Sequence, residues 1–255
     1  MQITLIQRPS RVNEKEFSKS LESTLTLLKG DLSATTKLLR YSNQGWAVVG
    51  ITGNDSEIVS ELISRKLGLA RTELNGITKL GIYDGHITEQ TATYLPIDIG
   101  IEKPKPLTIK LSLGALRAQL CDGRTLSMEE LTENYCLFPT TKATVRITNF
   151  EPKSEIAEAW LADSHLALLS KRISSRLDRI QVLDSSKREV EFAINKTNLG
   201  RDIVSVEQET LTAQSVVCKL GTDAIGLIPK LGSALRGREL KPFLPRRIVS
   251  QCRPW

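Results

Sequence analysis

Six cations, Arg236, Arg238, Lys241, Arg246, Arg247 and Arg253, fall within 18 residues near the end of the sequence, interleaved with Phe243 and Trp255. Guanidinium forks pair bidentately with phosphate, and both Arg and aromatic rings stack on bases, so this grouping points to polyanion binding. Residues 219–255 carry eight Lys/Arg and two Asp/Glu. Their surplus of +6 equals the net charge of the whole 255-residue chain, and residues 1–218 balance to zero. A concentrated patch attracts a polyanion more strongly than a diffuse charge. The competing assignment is a solvated, Arg-rich tail. Pro242, Pro245 and Pro254 argue against a long helix, and Leu240 to Trp255 reads as extended.

A second group lies mid-chain. Tyr83, His86 and Tyr94 are candidates for stacking on bases, with Lys79, Lys103, Lys105 and Lys110 beside them to hold a phosphate backbone. The competing assignment for the two tyrosines is a half-buried place in a sheet. Residues 71–150 carry nine basic and nine acidic residues, so this segment has no surplus charge of its own.

The third feature is Cys218-Lys219-Leu220-Gly221-Thr222-Asp223-Ala224-Ile225-Gly226. A strand running through a glycine turn into a helix can offer backbone N–H groups to a phosphate, with Lys219 as the adjoining cation. It lacks the GxxxxGK[ST] pattern of a nucleotide loop. Asp223 would repel an anion, and the competing assignment is a tight turn with Thr222 or Asp223 as helix cap.

Catalytic equipment is sparse. The only histidines are His86 and His165, and HExxH, GxSxG and GxGxxG are all absent from the sequence. His165, two residues after Asp163 on an expected helix, reads as a surface or packing residue. Asp98 and Asp122 are carboxylates that nothing singles out, and a carboxylate-based enzyme site around Asp98 or Asp223 is the third and least weighted alternative. Cys121, Cys136, Cys218 and Cys252 form no CxxC or CxxH, so no zinc site is expected, and they read as buried free thiols. No cofactor is implied. The N-terminus alternates like a strand rather than a signal peptide, no apolar run approaches the ~20 residues of a membrane span, and a cytoplasmic setting is expected.

The elements that must position these residues fall into three parts, giving an α+β chain with expected units at 1–70, 71–150 and 151–255. In the first, a strand from Gln2 to Gln7 precedes a helix capped by Asn13, with Phe17, Leu21, Leu25 and Leu28 at helical spacing and Gly30 at its end. Trp46 to Thr52 is a strand. Asp55 caps a second helix, with Ile58, Val59, Leu62, Ile63 and Leu67 inward and Gly68 closing it. Strand, helix, strand, helix suggests helices packed on a small sheet.

In the middle part, Leu80 to Tyr83 and Ile87 to Gln90 are strands flanking an Asp84-Gly85 turn. Tyr94 to Ile101 and Leu107 to Leu111 follow, then a helix from Leu113 to Leu120. Ser127 with Glu130 three residues on reads as a capping box. Thr144 to Thr148 is the final strand of an expected five-stranded barrel. The last part begins with a helix capped at Asp163 and running to Leu177. A strand at Arg179 to Leu183, a helix at Ser186 to Lys196, strands at Ile203 to Val206 and Ser215 to Lys219, and a short helix begun by Pro229 come next.

The middle part resembles an S1-type OB barrel. The residues that carry this are Gly81-Ile82, Tyr94-Leu95-Pro96-Ile97-Asp98-Ile99-Gly100, Leu107 to Ser112 and Ala143 to Ile147. Nearly the full chain resembles an archaeal family of conserved proteins with a domain of unknown function. That likeness rests on Tyr94 to Gly100, Leu116 to Gly123, Leu177-Asp178-Arg179 and above all Val216 to Gly232. It implies an archaeal, cytoplasmic setting and transfers no functional residue.

The sequence therefore points to an RNA-binding accessory protein rather than an enzyme, with the ribosome or another translation or transcription complex as partner. The alternative is a protein–protein adaptor, homodimeric, that binds no nucleic acid.

Overall fold

The computed structural model describes residues 1–9, 14–151 and 156–252. Asn13, Arg253, Pro254 and Trp255 lie outside the described residues.

The N-terminal part is a three-stranded antiparallel sheet, β1 (Gln2–Thr4), β2 (Ala34–Tyr41) and β3 (Ala47–Gly53), in the order β1-β3-β2. Helices α1 (Glu14–Lys29) and α2 (Ser56–Leu67) pack against it through Phe17, Leu21, Leu25, Val59 and Ile63. Strand β2 is absent from the sequence reading because ATTKLLRY has a weak alternation, broken by a register shift between Leu38 and Arg40. Two expectations for α2 are corrected. Ile58 and Leu62 face solvent. Asp55 makes no side-chain cap; its Oδ2 accepts instead from the Ser33 amide at 2.7 Å, tying the helix start to the loop before β2.

The middle part closes into a five-stranded barrel of β4 (Ile82–Ile87), β5 (Tyr94–Asp98), β6 (Thr108–Ser112), β7 (Lys142–Phe150) and β8 (Ile156–Leu161), in the order β4-β5-β6-β8-β7. Strands β6 and β8 run parallel and every other pair antiparallel. Helices α3 (Leu113–Leu120) and α4 (Met128–Tyr135) fall between β6 and β7, and the Ser127–Glu130 capping box starts α4 as expected. The barrel takes its fifth strand from residues beyond 150, so Thr144 to Thr148 is not its last strand.

Asp84-Gly85 is not a turn but the centre of β4. A Cβ on Gly85 would lie 2.5 Å from Ile97 Cγ2 and 2.9 Å from the Asp98 carbonyl. The glycine serves close approach of β5 rather than a reversal of the chain.

In the C-terminal part, α5 (Asp163–Ser174) precedes β9 (Arg179–Leu183), α6 (Lys187–Lys196), β10 (Ile203–Gln208), β11 (Ala213–Cys218), α7 (Ala224–Ala234), β12 (Glu239–Phe243) and α8 (Pro245–Cys252). The sheet is antiparallel throughout, in the order β10-β11-β9-β12. Ala162, not Asp163, occupies the cap position of α5, because Asp163 turns to Arg146 at 2.6 Å. Pro229 lies inside α7 rather than at its start. The segment read as an extended basic tail is instead a sheet strand followed by a packed helix. Pro245 opens α8, where its missing N–H costs nothing, and Ile248 and Cys252 are buried.

The three parts share buried contacts. Leu211, from the loop before β11, enters the N-terminal core, and its amide donates to Gln7 Oε1 at 3.0 Å. Phe243, Ile248 and Cys252 join the barrel core. All four cysteines are free and buried. Among the described residues no helix is long and apolar enough to cross a membrane.

Candidate nucleic-acid interface

Strands bury alternate residues, so parity decides which barrel side chains reach a ligand. On β4, Tyr83 points inward. Its hydroxyl accepts from the Thr78 amide and donates to the Gly76 carbonyl, each at 3.0 Å. His86 has outward parity, but the N-terminal part covers it. Its Nε2 lies 2.6 Å from the Ile6 carbonyl, its Nδ1 lies 3.2 Å from the Thr140 carbonyl, and the Trp46 ring is 5.9 Å away. Burial lowers its pKa to about 4 against the pull of those two carbonyls, and Arg8 and Lys142 lower it further. Neither residue can stack on a base, which corrects both assignments.

Tyr94 differs. It is half-exposed at the start of β5, and Lys110 on the neighbouring β6 holds its Nζ 4.7 Å from the ring centroid. An aromatic face with a cation beside it is the unit that single-stranded nucleic acid uses: the ring takes a base and the ammonium a phosphate. Lys79, Lys103 and Lys105 are exposed in loops, none of them on the strands that carry Tyr94 and Lys110.

The stretch after Tyr94 has a structural task. Asp98 accepts from the Gly100 amide at 2.8 Å and pairs with Arg8 at 3.2 Å, while Arg8 lies 4.5 Å over the Trp46 ring. Burial raises the pKa of Asp98 despite those contacts. The carboxylate docks the N-terminal part on the barrel.

The sequence reading missed Trp160. Strand β8, IAEAWL, alternates exposed and buried along its length, and that period of two was readable in the sequence. Trp160 is 49% exposed and sits opposite Arg146 of β7, which sits opposite Ile82 of β4.

The C-terminal cations divide. Arg238 is held by Glu189 at 3.0 Å and Glu16 at 3.3 Å, joining α6 to α1. Lys241 pairs with Glu239 at 3.1 Å and lies 5.3 Å over the Phe138 ring. Both are engaged within the fold. Arg236 is exposed in the turn after α7, and Arg246 and Arg247 are exposed on the first turn of α8. Arg124 reaches the same helix, donating to the Gln251 carbonyl at 2.7 Å.

The glycine turn after β11 offers no anion site. Asp223 caps α7 by accepting from the Ile225 and Gly226 amides, each at 3.0 Å, and Asp178 accepts from the Ala224 amide at 3.4 Å. Carboxylates occupy the amides a phosphate would need. Lys219 is exposed beside this turn. His165 is buried rather than on the surface. Its Nδ1 accepts from the Thr144 amide at 3.4 Å, and burial with Arg172 and Lys142 lowers its pKa to about 4.

Residues 177–241 match the family described as the DUF2110 C-terminal domain. The DUF2110-like region spans β9 through most of β12, which is the antiparallel sheet with α6 and α7, and it includes the Val216 to Gly232 stretch. No curated protein matches the chain. Solved structures with partial likeness include a complex of a/eIF2alpha, aDim2p and rRNA from Pyrococcus horikoshii OT3. It has a TM-score of 0.26 and 8% identity over 48% of this chain and 64% of that chain. The intact alpha subunit of aIF2 from Pyrococcus abyssi also has a TM-score of 0.26 and 8% identity, over 68% of this chain and 98% of that one. At that score neither alignment carries a functional argument.

Proposed function

We propose that the protein binds single-stranded RNA on the outside of its barrel, and that it acts as a non-catalytic accessory to a ribosomal or other translation or transcription complex. The observation that carries this is the Tyr94–Lys110 pair: an aromatic ring half-open to solvent with a cation at its face, on adjacent strands of a closed barrel. Arg246 and Arg247, exposed on α8, supply sequence-independent attraction to phosphate. The barrel carboxylates Asp84 and Asp98 are committed to internal pairs with Lys142 and Arg8, which supports binding rather than chemistry.

The test is the affinity of the full chain for a fluorescein-labelled uridine oligonucleotide, measured by anisotropy across a salt series, beside the absorbance ratio at 260 and 280 nm of protein purified at low and high salt. The reading expects salt-sensitive binding and nucleic acid that a high-salt wash removes. Clean protein at low salt with no anisotropy change would overturn it.

A further inference from the structure

Strand β4 is paired along its length on one side only. Its β7 ladder runs from Ile82 opposite Arg146 to His86 opposite Lys142, whereas β5 pairs only with His86 and Ile87. The Ile87 amide donates to Thr141 and the Gly81 carbonyl accepts from Ile147. The odd-numbered residues of β4 thus bond toward β7, and the N–H and C=O groups of Ile82 and Asp84 face the opposite way.

Strand β5 does not meet them. Gly100 has a φ of +87°, a Cβ there would lie 2.5 Å from the Ala70 Cβ, and the Ile99 carbonyl accepts from the Arg71 amide, so the chain leaves β4 after Asp98. Among the described residues the main-chain groups of Ile82 and Asp84 have no backbone partner.

They face a groove of about 400 Å³, walled on the far side by Gly68, Leu69, Ala70 and Arg71. Its apolar rim is open to solvent: Leu69 is 43% exposed and Ile82 50%. Arg71 lies 5.7 Å over the Tyr83 ring and has no carboxylate partner among the described residues. The carboxylate of Asp84 is neutralised by Lys142 at 2.8 Å and by the Thr144 hydroxyl at 2.7 Å. The uncompensated charge of the groove is positive.

We infer that this groove takes an extended, acidic–apolar peptide segment of a partner protein, added to β4 as a strand. An unpaired strand edge demands alternating donors and acceptors at strand spacing, which a polypeptide backbone supplies and a sugar–phosphate chain does not. Alternate apolar side chains of the peptide lie on Leu69 and Ile82, and an acidic side chain meets Arg71. The site is separate from the Tyr94–Lys110 surface. Tyr94 begins β5, which runs antiparallel to β4 and meets it at Ile97 and Asp98, so Tyr94 and Ile82 lie toward opposite ends of the two strands.

The probes are a labelled peptide alternating valine and glutamate, the same peptide with lysine for glutamate, and a uridine oligonucleotide, each added to the full chain. Amide hydrogen exchange is the readout. The glutamate peptide is expected to slow exchange at Ile82 and Asp84 while leaving Tyr83 and Gly85, already bonded to β7, unchanged. N-methylation of alternate peptide amides should abolish binding without any change to the protein. Arg71→Glu should weaken the glutamate peptide about tenfold and not the lysine peptide. The inference is overturned by absence of peptide binding, or by binding that leaves the Ile82 and Asp84 amides unprotected. It is also overturned by displacement of the peptide by the oligonucleotide at this groove, or by concentration-dependent protection in the protein alone, which would assign the edge to a second copy of the chain.

Discussion

Strands β4 and β5 are neighbours in one barrel, and each carries tyrosine where a base could stack, yet only one of them presents it. Tyr83 faces the barrel interior and spends its hydroxyl on Thr78 and Gly76. His86 faces outward and is sealed by Ile6 and Trp46 of the N-terminal part. Tyr94 has outward parity, stays partly exposed and has a lysine at its face. Aromatic identity alone does not make a stacking platform. Parity and the neighbouring part of the chain both have to leave the ring open.

The largest test of that contrast is pH. Both histidines are held neutral, with folded pKa values of about 4 against an unfolded value near 6.5. A depressed folded pKa means the unfolded chain binds protons first, so stability is full above about pH 6.5 and falls as pH drops toward 4. Each histidine contributes on the order of 3 kcal/mol to that loss. Asp98 and Asp178, whose raised pKa values act in the opposite sense, blunt the acid end. Urea midpoints measured from pH 7 to pH 4 check this. A flat profile would mean that the histidines are not sealed.

Next in size is His86→Phe, which removes the single N–H that the neutral ring donates to one of the Ile6 and Thr140 carbonyls and should cost about 2 kcal/mol of stability. Affinity for RNA per folded molecule should be unchanged, since the ring touches no ligand surface. Thermal melts beside oligonucleotide titrations separate the two effects, and a specific affinity loss would return His86 to the binding face.

Tyr94→Ala should act mainly on binding. Loss of one stacked base costs about 1–3 kcal/mol of affinity per folded molecule, while removing this partly buried ring should lower stability by about 1 kcal/mol. Anisotropy at fixed salt reads the first, a urea melt the second. The smallest effect belongs to Arg246→Ala with Arg247→Ala. Each lost phosphate contact should lower the slope of log affinity against log salt by about 0.7. An unchanged slope would remove α8 from the RNA surface.

The sequence disclosed the elements whose signals are local. The Ser127–Glu130 box, the Asp223 cap of α7 and the helical spacing of Phe17, Leu21 and Leu25 need only nearby residues, and all three stand in the structure. The barrel was legible from the Tyr94 to Gly100 block and the short strands around it. Trp160 was equally legible, since IAEAWL alternates cleanly, but its neighbours on β8 are mostly small and the strand lay outside the stretch assigned to the barrel. The glycine of Asp84-Gly85 misled because glycine serves two ends, reversal of the chain and close approach of another backbone, and only the position of β5 separates them.

The C-terminal cations show the same division. Charge composition located the basic segment, because net charge is a sum over residue types and needs no fold. Which cations stay exposed depends largely on partners distant in sequence: Glu16 and Glu189 claim Arg238, and Phe138, with nearby Glu239, engages Lys241, while Arg246 and Arg247 remain exposed on α8, Arg247 donating to Gln251 at 3.4 Å. By itself the sequence determined most of the helices, the Ser127 and Asp223 caps, several of the period-two strands and the place of the charge surplus, each set by residues within a turn or two of one another. The docking of the N-terminal part over His86, the departure of β5 from the edge of β4 and the conversion of an apparent tail into a packed strand and helix were decided by tertiary structure, because each depends on backbone groups and side chains that meet only when distant segments close on one another.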